Sequence, residues 1–228
     1  GDRSDDPEID VAGGSGEDEI FDLAAAAERF DLEDVRPAPS AWDVAKLRAM
    51  NGVYIRSLEP ADLAERLLPF LHRAGLPAER ERVVQMAPLV QERLETLADG
   101  VRWLGFFWAA TIEPELGDLV PKKRDAAAGL RLLARAGTVL AALTDWTAPA
   151  IEEALRSVAD EQELSAGQAF GPIRAAVTGD RVSPPLFDTL AIVGREDTLA
   201  RVERAAERLA GAGLDGRAQE SGGGAQDR

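Results

Sequence analysis

The chain has 228 residues, 45% of them hydrophobic, enough to bury a real core and to form one large domain or two small ones. Cysteine is absent, which excludes disulfides, thiolate nucleophiles and zinc–cysteine sites and fits a reducing cytosol. The net charge is −15, but residues 1–40 hold 13 acidic and 3 basic residues, leaving 28 acidic and 23 basic beyond them. At face value the net charge argues against a nucleic-acid partner, because phosphate binding normally uses clustered Lys and Arg, but the body is only mildly acidic, which weakens that argument.

In chain order, GDRSDDPEIDVAGGSGEDE at 1–19 combines Gly, Ser and acidic residues with almost nothing to bury, and is expected to be a mobile acidic linker or insertion. Helical patterns follow. After Pro60, Leu63, Leu67, Leu68 and Leu71 recur at helical spacing, and Gly75 with Pro77 closes that helix. Pro88 is expected to break the pattern between Val83 and Leu97, because its ring excludes the usual backbone bond, and Asp99 with Gly100 reads as a further helix end. The longest apolar run, VRWLGFFWAATI at 101–112, carries Arg102 and falls short of the roughly 18 residues that a bilayer span needs. Pro114, Gly117 and Pro121, within EPELGDLVPKK, mark the expected boundary between two helical domains, 41–116 and 117–212. Beyond it Leu130, Leu133, Ala136, Leu140 and Leu143 repeat the helical spacing. Thr147 with Pro149 reads as a cap and first turn; Ser183 with Pro184 reads the same way before LFDTLAIVG, and Gly194 stops that helix. Residues 213–228 have linker-like composition and are expected to be a disordered tail.

No long alternating run of Val, Ile, Thr and aromatic residues is present, and Ala, Leu, Arg and Glu fill the remaining positions. The expected class is all-α: two small helical bundles in tandem, between a disordered acidic N-terminal segment and a Gly-rich tail. No fixed repeat period is found, which disfavours a solenoid.

The inventory for catalysis is poor. His72 is the only histidine and falls near a helix end, where it favours the helix dipole rather than acting as a base; the only lysines are Lys46, Lys122 and Lys123. Asp5, Asp6, Glu8 and Asp10 lack the frame of a cation loop, and AGGSGED lacks both the lysine of a phosphate loop and a preceding strand. The acidic start at Gly1 is no signal peptide; the chain is read as a soluble, cytoplasmic piece of a longer protein. What remains is recognition. Arg93, in PLVQERLETLADGVRWLGFFW, could reach a base edge through its planar fork or lie in an intrahelical ion pair. Arg174, in FGPIRAAVTG, sits about one turn before a glycine stop. Leu186 and Phe187, beside an exposed helix start, are either core packing or a contact surface.

Five blocks in order resemble the C-terminal half of bacterial glutamyl-tRNA synthetases: EDEIFDLAAAAERFDLEDV, AWDVAKLRAMNGVYIR, PLVQERLETLADGVRWLGFFW, LTDWTAPAIEEAL and GPIRAAVTGDRVSPPLFDTLAIVGREDTLARV. The resemblance covers residues 17 to 210. It implies an all-helical region that binds the anticodon arm of tRNA, with 20–40 as the end of a connecting domain. Glutamate, ATP and Mg2+ would be handled by an upstream class I Rossmann domain. The family's HIGH-type motif and KMSKS-type lysine loop have no counterpart here, so this region would carry no catalytic residue, metal or cofactor of its own. Residue by residue, the resemblance implies anticodon contacts for Arg93 and Arg174, and for Ser183, Pro184, Leu186 and Phe187 at the helix start. Departures are Val53, where the family often has a polar residue, and the acidic stretch at 1–16. The partner implied is tRNA(Glu), with tRNA(Gln) left open, and the protein would act as a monomer. The alternative is a helical interaction module that recruits a tRNA-enzyme partner. Unstacked anticodon bases are read by stacking and by edge hydrogen bonds, so a few arginines suffice despite the negative charge.

Overall fold

Local chemistry sets most helix starts. Asp125 Oδ1 accepts from Ala128 N at 2.8 Å, Thr147 Oγ1 accepts from Ala150 N at 3.5 Å ahead of Pro149, and Ser165 with Gln168 forms a reciprocal capping box. These caps open three of the helices in the computed structural model, which describes residues 24, 27, 28, 30–34 and 43–222, with side chains up to 212. The expected acidic linker at 1–19 lies outside the described residues. The α-helices are α1 (Val44–Arg56), α2 (Pro60–Arg73), α3 (Arg80–Val90), α4 (Asp99–Leu104), α5 (Ala126–Ala141), α6 (Ala148–Glu161), α7 (Ala166–Thr178), α8 (Leu186–Val193) and α9 (Arg195–Gly222). Short 3-10 turns lie at Leu32–Asp34, Gln91–Arg93, Gly105–Trp108 and Leu116–Leu119. No strand occurs among the described residues, so the all-α expectation holds.

The chain divides into two compact units, 1–50 and 51–228. In the first, Asp31 Oδ1 accepts from Glu33 N at 3.0 Å in the Leu32–Asp34 turn, and Asp43 Oδ1 accepts from Lys46 N at 3.0 Å as α1 begins. In the second, one continuous apolar core runs from Ile55 to Leu209. Leu63, Leu67 and Leu71, four residues apart on α2, are wholly buried, as the spacing requires. Two packing groups share this core. Helices α2, α3 and α4 pack on one another, and α5 to α9 form the larger group, with α9 lying along α5. Helix α3 meets α8 where the groups join.

Punctuation behaves less simply than expected at three places. Pro88 sits inside α3, and the α-helix continues to Val90 before tightening into the 3-10 turn. Burial of Val83, Met86, Ala87 and Val90 on one face holds the helix past the missing N–H. Asp99 begins α4 rather than ending a helix: its Oδ2 accepts from Thr96 N at 2.7 Å and Glu95 N at 3.2 Å. Ser183 does not cap α8, which starts at Leu186 with Pro185 at the N-cap position. Each residue before a proline is pushed out of the helical region, so Pro184–Pro185 delays the helix. Gly75 and Gly194 do end their helices, at φ of +77° and +91°. Helix α9 runs through Gly222 and so includes part of the stretch expected to be a disordered tail; residues 223–228 lie outside the described residues.

Candidate nucleic-acid interface

Arg93 ends the 3-10 turn that follows α3. Gln91 holds that turn in place: its Nε2 lies 2.7 Å from Leu58 O, 3.0 Å from Ile55 O and 3.2 Å from Arg56 O, bonding to carbonyls at and just beyond the end of α1. Leu94, fully buried, anchors the other side. Arg93 itself is exposed, with its guanidinium 5.6 Å from the centroid of Trp103, and Arg102 lies 5.4 Å from the same ring. Such contacts contribute about 0.5–1 kcal/mol each at exposed sites. Arg93 has no acidic partner among the described residues, so the intrahelical ion pair is not formed.

Arg174 projects from α7 toward the turn 179–185 that leads into α8. Its Nη1 donates to Ser183 Oγ and Pro184 O, both at 2.6 Å, with Ser183 O at 3.3 Å. Ser183 Oγ in turn donates to Pro184 O at 3.0 Å. Inside the turn, Asp180 Oδ1 accepts from Val182 N at 2.9 Å, and Thr178 Oγ1 lies 2.9 Å from Arg174 O. Arg181 ties the turn down through Asp118, Nε to Oδ1 at 2.7 Å, and through Gly117 O at 2.7 Å. Ser183 is therefore a bonded part of the Arg174 mount rather than a helix cap.

Burial lowers the pKa of Arg174, and the like charge of Arg93 lowers it further. The two guanidiniums are thus within electrostatic reach, although one stands on the α2–α4 group and the other on the α5–α9 group. Between the groups, Arg102, Trp103 and Phe106 face Thr178, Asp180, Val182, Ser183 and Pro184 across a hollow of about 60 Å³. Val182 is 60% exposed at this place. Arg174, Ser183 and Pro184 are brought together by hydrogen bonds, while Arg93 stands over Trp103 on the facing wall. Leu186 is not available in the same way: it is 3% exposed and belongs to the core. Phe187 is half-buried and meets Phe170 edge-on, with centroids 5.2 Å apart. The helix start places one member of that pair inside and the other against a neighbouring ring.

Arg102, Trp103, Asp180 and Val182 were not singled out from the sequence. For Arg102 and Trp103 the only signal was the aromatic density of VRWLGFFW, which also fits a buried helix; Phe107 and Leu104 in that run are buried. A larger hollow of about 590 Å³ lies along α5 and α6, but its Arg135 is paired with Glu161 at 2.9 Å and no aromatic ring lines it.

The groups at and beside the hollow are three guanidinium forks, of Arg93, Arg102 and Arg174, the Trp103 indole face and the Asp180 carboxylate. Together they can stack an unpaired base and bond its edge. Among the described residues no three His, Asp or Glu side chains come together as metal ligands, and no glycine-rich phosphate loop opens a helix. The residues present do not fit ATP or Mg2+, and no chemical step is assigned to them.

Residues 62–206 match the family of the anticodon binding domain. The chain belongs to that family. The chain is 47% identical over 190 residues to a glutamate–tRNA ligase of Chloroflexus aurantiacus, an alignment covering 79% of this chain and 38% of the relative. It is 44% identical over 197 residues to a glutamate–tRNA ligase of Roseiflexus sp., covering 84% and 39%. The fold matches a crystal structure of a glutamate tRNA ligase from Elizabethkingia meningosepticum in complex with its amino acid, with a TM-score of 0.70 at 21% identity, over 84% of this chain and 38% of that one. The resemblance to the C-terminal half of glutamyl-tRNA synthetases is borne out. The chain spans about two-fifths of the length of these relatives. Among the described residues no helix is long and apolar enough to cross a membrane.

Proposed function

We propose that this chain is the anticodon-reading, C-terminal region of a glutamate–tRNA ligase, whose upstream part attaches glutamate to tRNA(Glu) through glutamyl-adenylate with ATP and Mg2+. The region supplies recognition and would not aminoacylate alone. The observation that carries this reading is the placement of the two arginines on opposite walls of one hollow: Arg174 is bonded to Ser183 and Pro184 on one side, and Arg93 lies over Trp103 on the other. Arg93, exposed and without an acidic partner among the described residues, can turn toward a base edge. Arg174 is fixed by Ser183 and Pro184 through Nη1, which leaves the rest of its fork for the ligand. Leu186 and Phe187 follow that mount along the chain, Phe187 against Phe170 and Leu186 in the core.

In this reading 41–116 carries the Arg93 side and 117–212 the Arg174 side, as two successive bundles, with 20–40 the end of a connecting domain. The protein works in the cytoplasm as a monomer with tRNA(Glu), and tRNA(Gln) is a second substrate to be tested. Binding of the chain to the anticodon stem-loop of tRNA(Glu), compared with a stem-loop of permuted anticodon, is the direct test. Arg93→Ala and Arg174→Ala should each weaken the cognate complex and narrow the gap to the permuted one. Equal affinity for both loops in the unmodified chain would remove the proposal.

A further inference from the structure

The hollow is built from two helix groups, and little helix-to-helix packing joins them beyond α3 on α8. Something must keep its walls in register. The buried charges of the unit single out Arg201 on α9, which is 6% exposed. Its Nη1 donates to Val177 O at 2.9 Å, a carbonyl in the last turn of α7 that has no helical partner. Its Nη2 reaches Ala109 O at 3.5 Å, directly after the turn Gly105–Trp108. One guanidinium thus spans both groups. Val177 lies three residues after Arg174, and Ala109 lies six residues after Trp103, so the tethered carbonyls stand just behind the two walls.

Placing a guanidinium here carries a desolvation cost. Burial lowers the pKa of Arg201, and Arg204 and Arg82 lower it further, while Asp197, one turn earlier on α9, raises it. Apolar packing could have filled the space without a desolvated charge. A planar fork can bond two carbonyls on different elements at a fixed separation, which a leucine or a lysine cannot do. A weaker pair, Arg208 with Glu113 at 3.6 Å, continues the same seam on the surface.

We propose that Arg201 is a positioning residue for anticodon recognition: without touching RNA, it holds the Trp103 wall and the Arg174 wall of the hollow at the separation the ligand requires. The proposal rests on the anticodon reading for its ligand, but its geometric half does not need RNA.

Because the chain has no cysteine, Gln85→Cys on α3 and Glu153→Cys on α6, both exposed and outside the hollow, allow spin labels to be placed on the two groups. The inter-label distance distribution should be narrow in the parent and broader or displaced with Arg201→Met, at unchanged helical content. Arg201→Lys, which can bond one carbonyl at a time, should fall between them and serves as the variant of record if the methionine chain does not fold. Affinity for the anticodon stem-loop of tRNA(Glu) should drop roughly 2- to 30-fold in step with the broadening. A narrow, unshifted distribution in a folded Arg201 variant overturns the proposal. So does a broadened one with unchanged RNA affinity. Failure of the parent chain to bind the stem-loop would instead strike the anticodon reading, while the distance measurement would still decide whether Arg201 sets the seam.

Discussion

Replacing Arg174 by methionine removes the donor on which the Ser183–Pro184 turn is mounted while keeping most of the side-chain volume. The nitrogen Nη1 carries two hydrogens, and its two short bonds, to Ser183 Oγ and Pro184 O at 2.6 Å, use both; Ser183 O at 3.3 Å adds little. Bonds from a charged donor contribute roughly 1.5–3 kcal/mol each, and returning a half-buried guanidinium to water offsets part of that. The net cost expected is about 2–3 kcal/mol, which is roughly 30- to 150-fold in the folding equilibrium. Urea unfolding measures it, with an unchanged m-value showing that the transition is the same. Arg174→Lys separates the mount from the reading. An ammonium can still reach Ser183 Oγ and Pro184 O, so stability should fall by less than about 1 kcal/mol. The planar second edge is lost, and affinity for the anticodon stem-loop should fall about tenfold or more. A methionine variant as stable as the parent would refute the hydrogen-bond argument. A lysine variant that binds RNA as well as the parent would show that charge, not the fork, is what the site uses.

Three further outcomes follow from the same geometry. With Arg102 lining the hollow and Arg93 and Arg174 held against its walls as the cations that meet the ligand, the plot of log affinity against log salt should have a slope no steeper than about −2, taking roughly −0.7 per neutralised phosphate of a single strand; a much steeper slope would mean that binding runs through other basic residues. Gly129→Ala, although it improves helix propensity, should destabilise the chain by about 1–3 kcal/mol in a thermal or urea melt, because the added Cβ would lie 2.6 Å from the backbone carbonyl of Leu119 and 3.0 Å from Leu209. RNA affinity should be flat between about pH 6 and pH 9, since the cations that meet the ligand are arginines. Burial lowers the folded-state pKa of Arg174, so the cost of its buried charge applies below that pKa and disappears only as strongly alkaline pH is reached. A titration of binding near neutrality would point to a group outside the hollow.

Much of the fold could be read from neighbours in sequence. The Leu63–Leu67–Leu71 spacing, the Thr147 and Asp125 caps and the Gly75 and Gly194 stops act within one or two helical turns, and they appear in the structure as helix faces and ends. Local rules failed where tertiary burial opposed them, as at Pro88, kept helical by the apolar face of α3, and where two prolines competed with a serine for the start of α8. The candidate site was legible in part. Arg93 and Arg174 came from family resemblance, and the hydrogen bonds on Ser183 and Pro184 show how Arg174 is mounted.

Their convergence is another matter. Nothing within a helical turn of Trp103 signals that it faces Asp180 and Val182, nor could Leu186 and Phe187, adjacent and both apolar, be sorted into a core residue and a half-buried ring. Arg201 reads as one more charge on a helix rich in charges until it is found buried between Val177 O and Ala109 O. Periodicity, caps and stops are short-range energies, and the order of residues along the chain is enough to state them. The hollow depends on contacts between distant segments, whose distances are set by how the shared core packs the two helix groups.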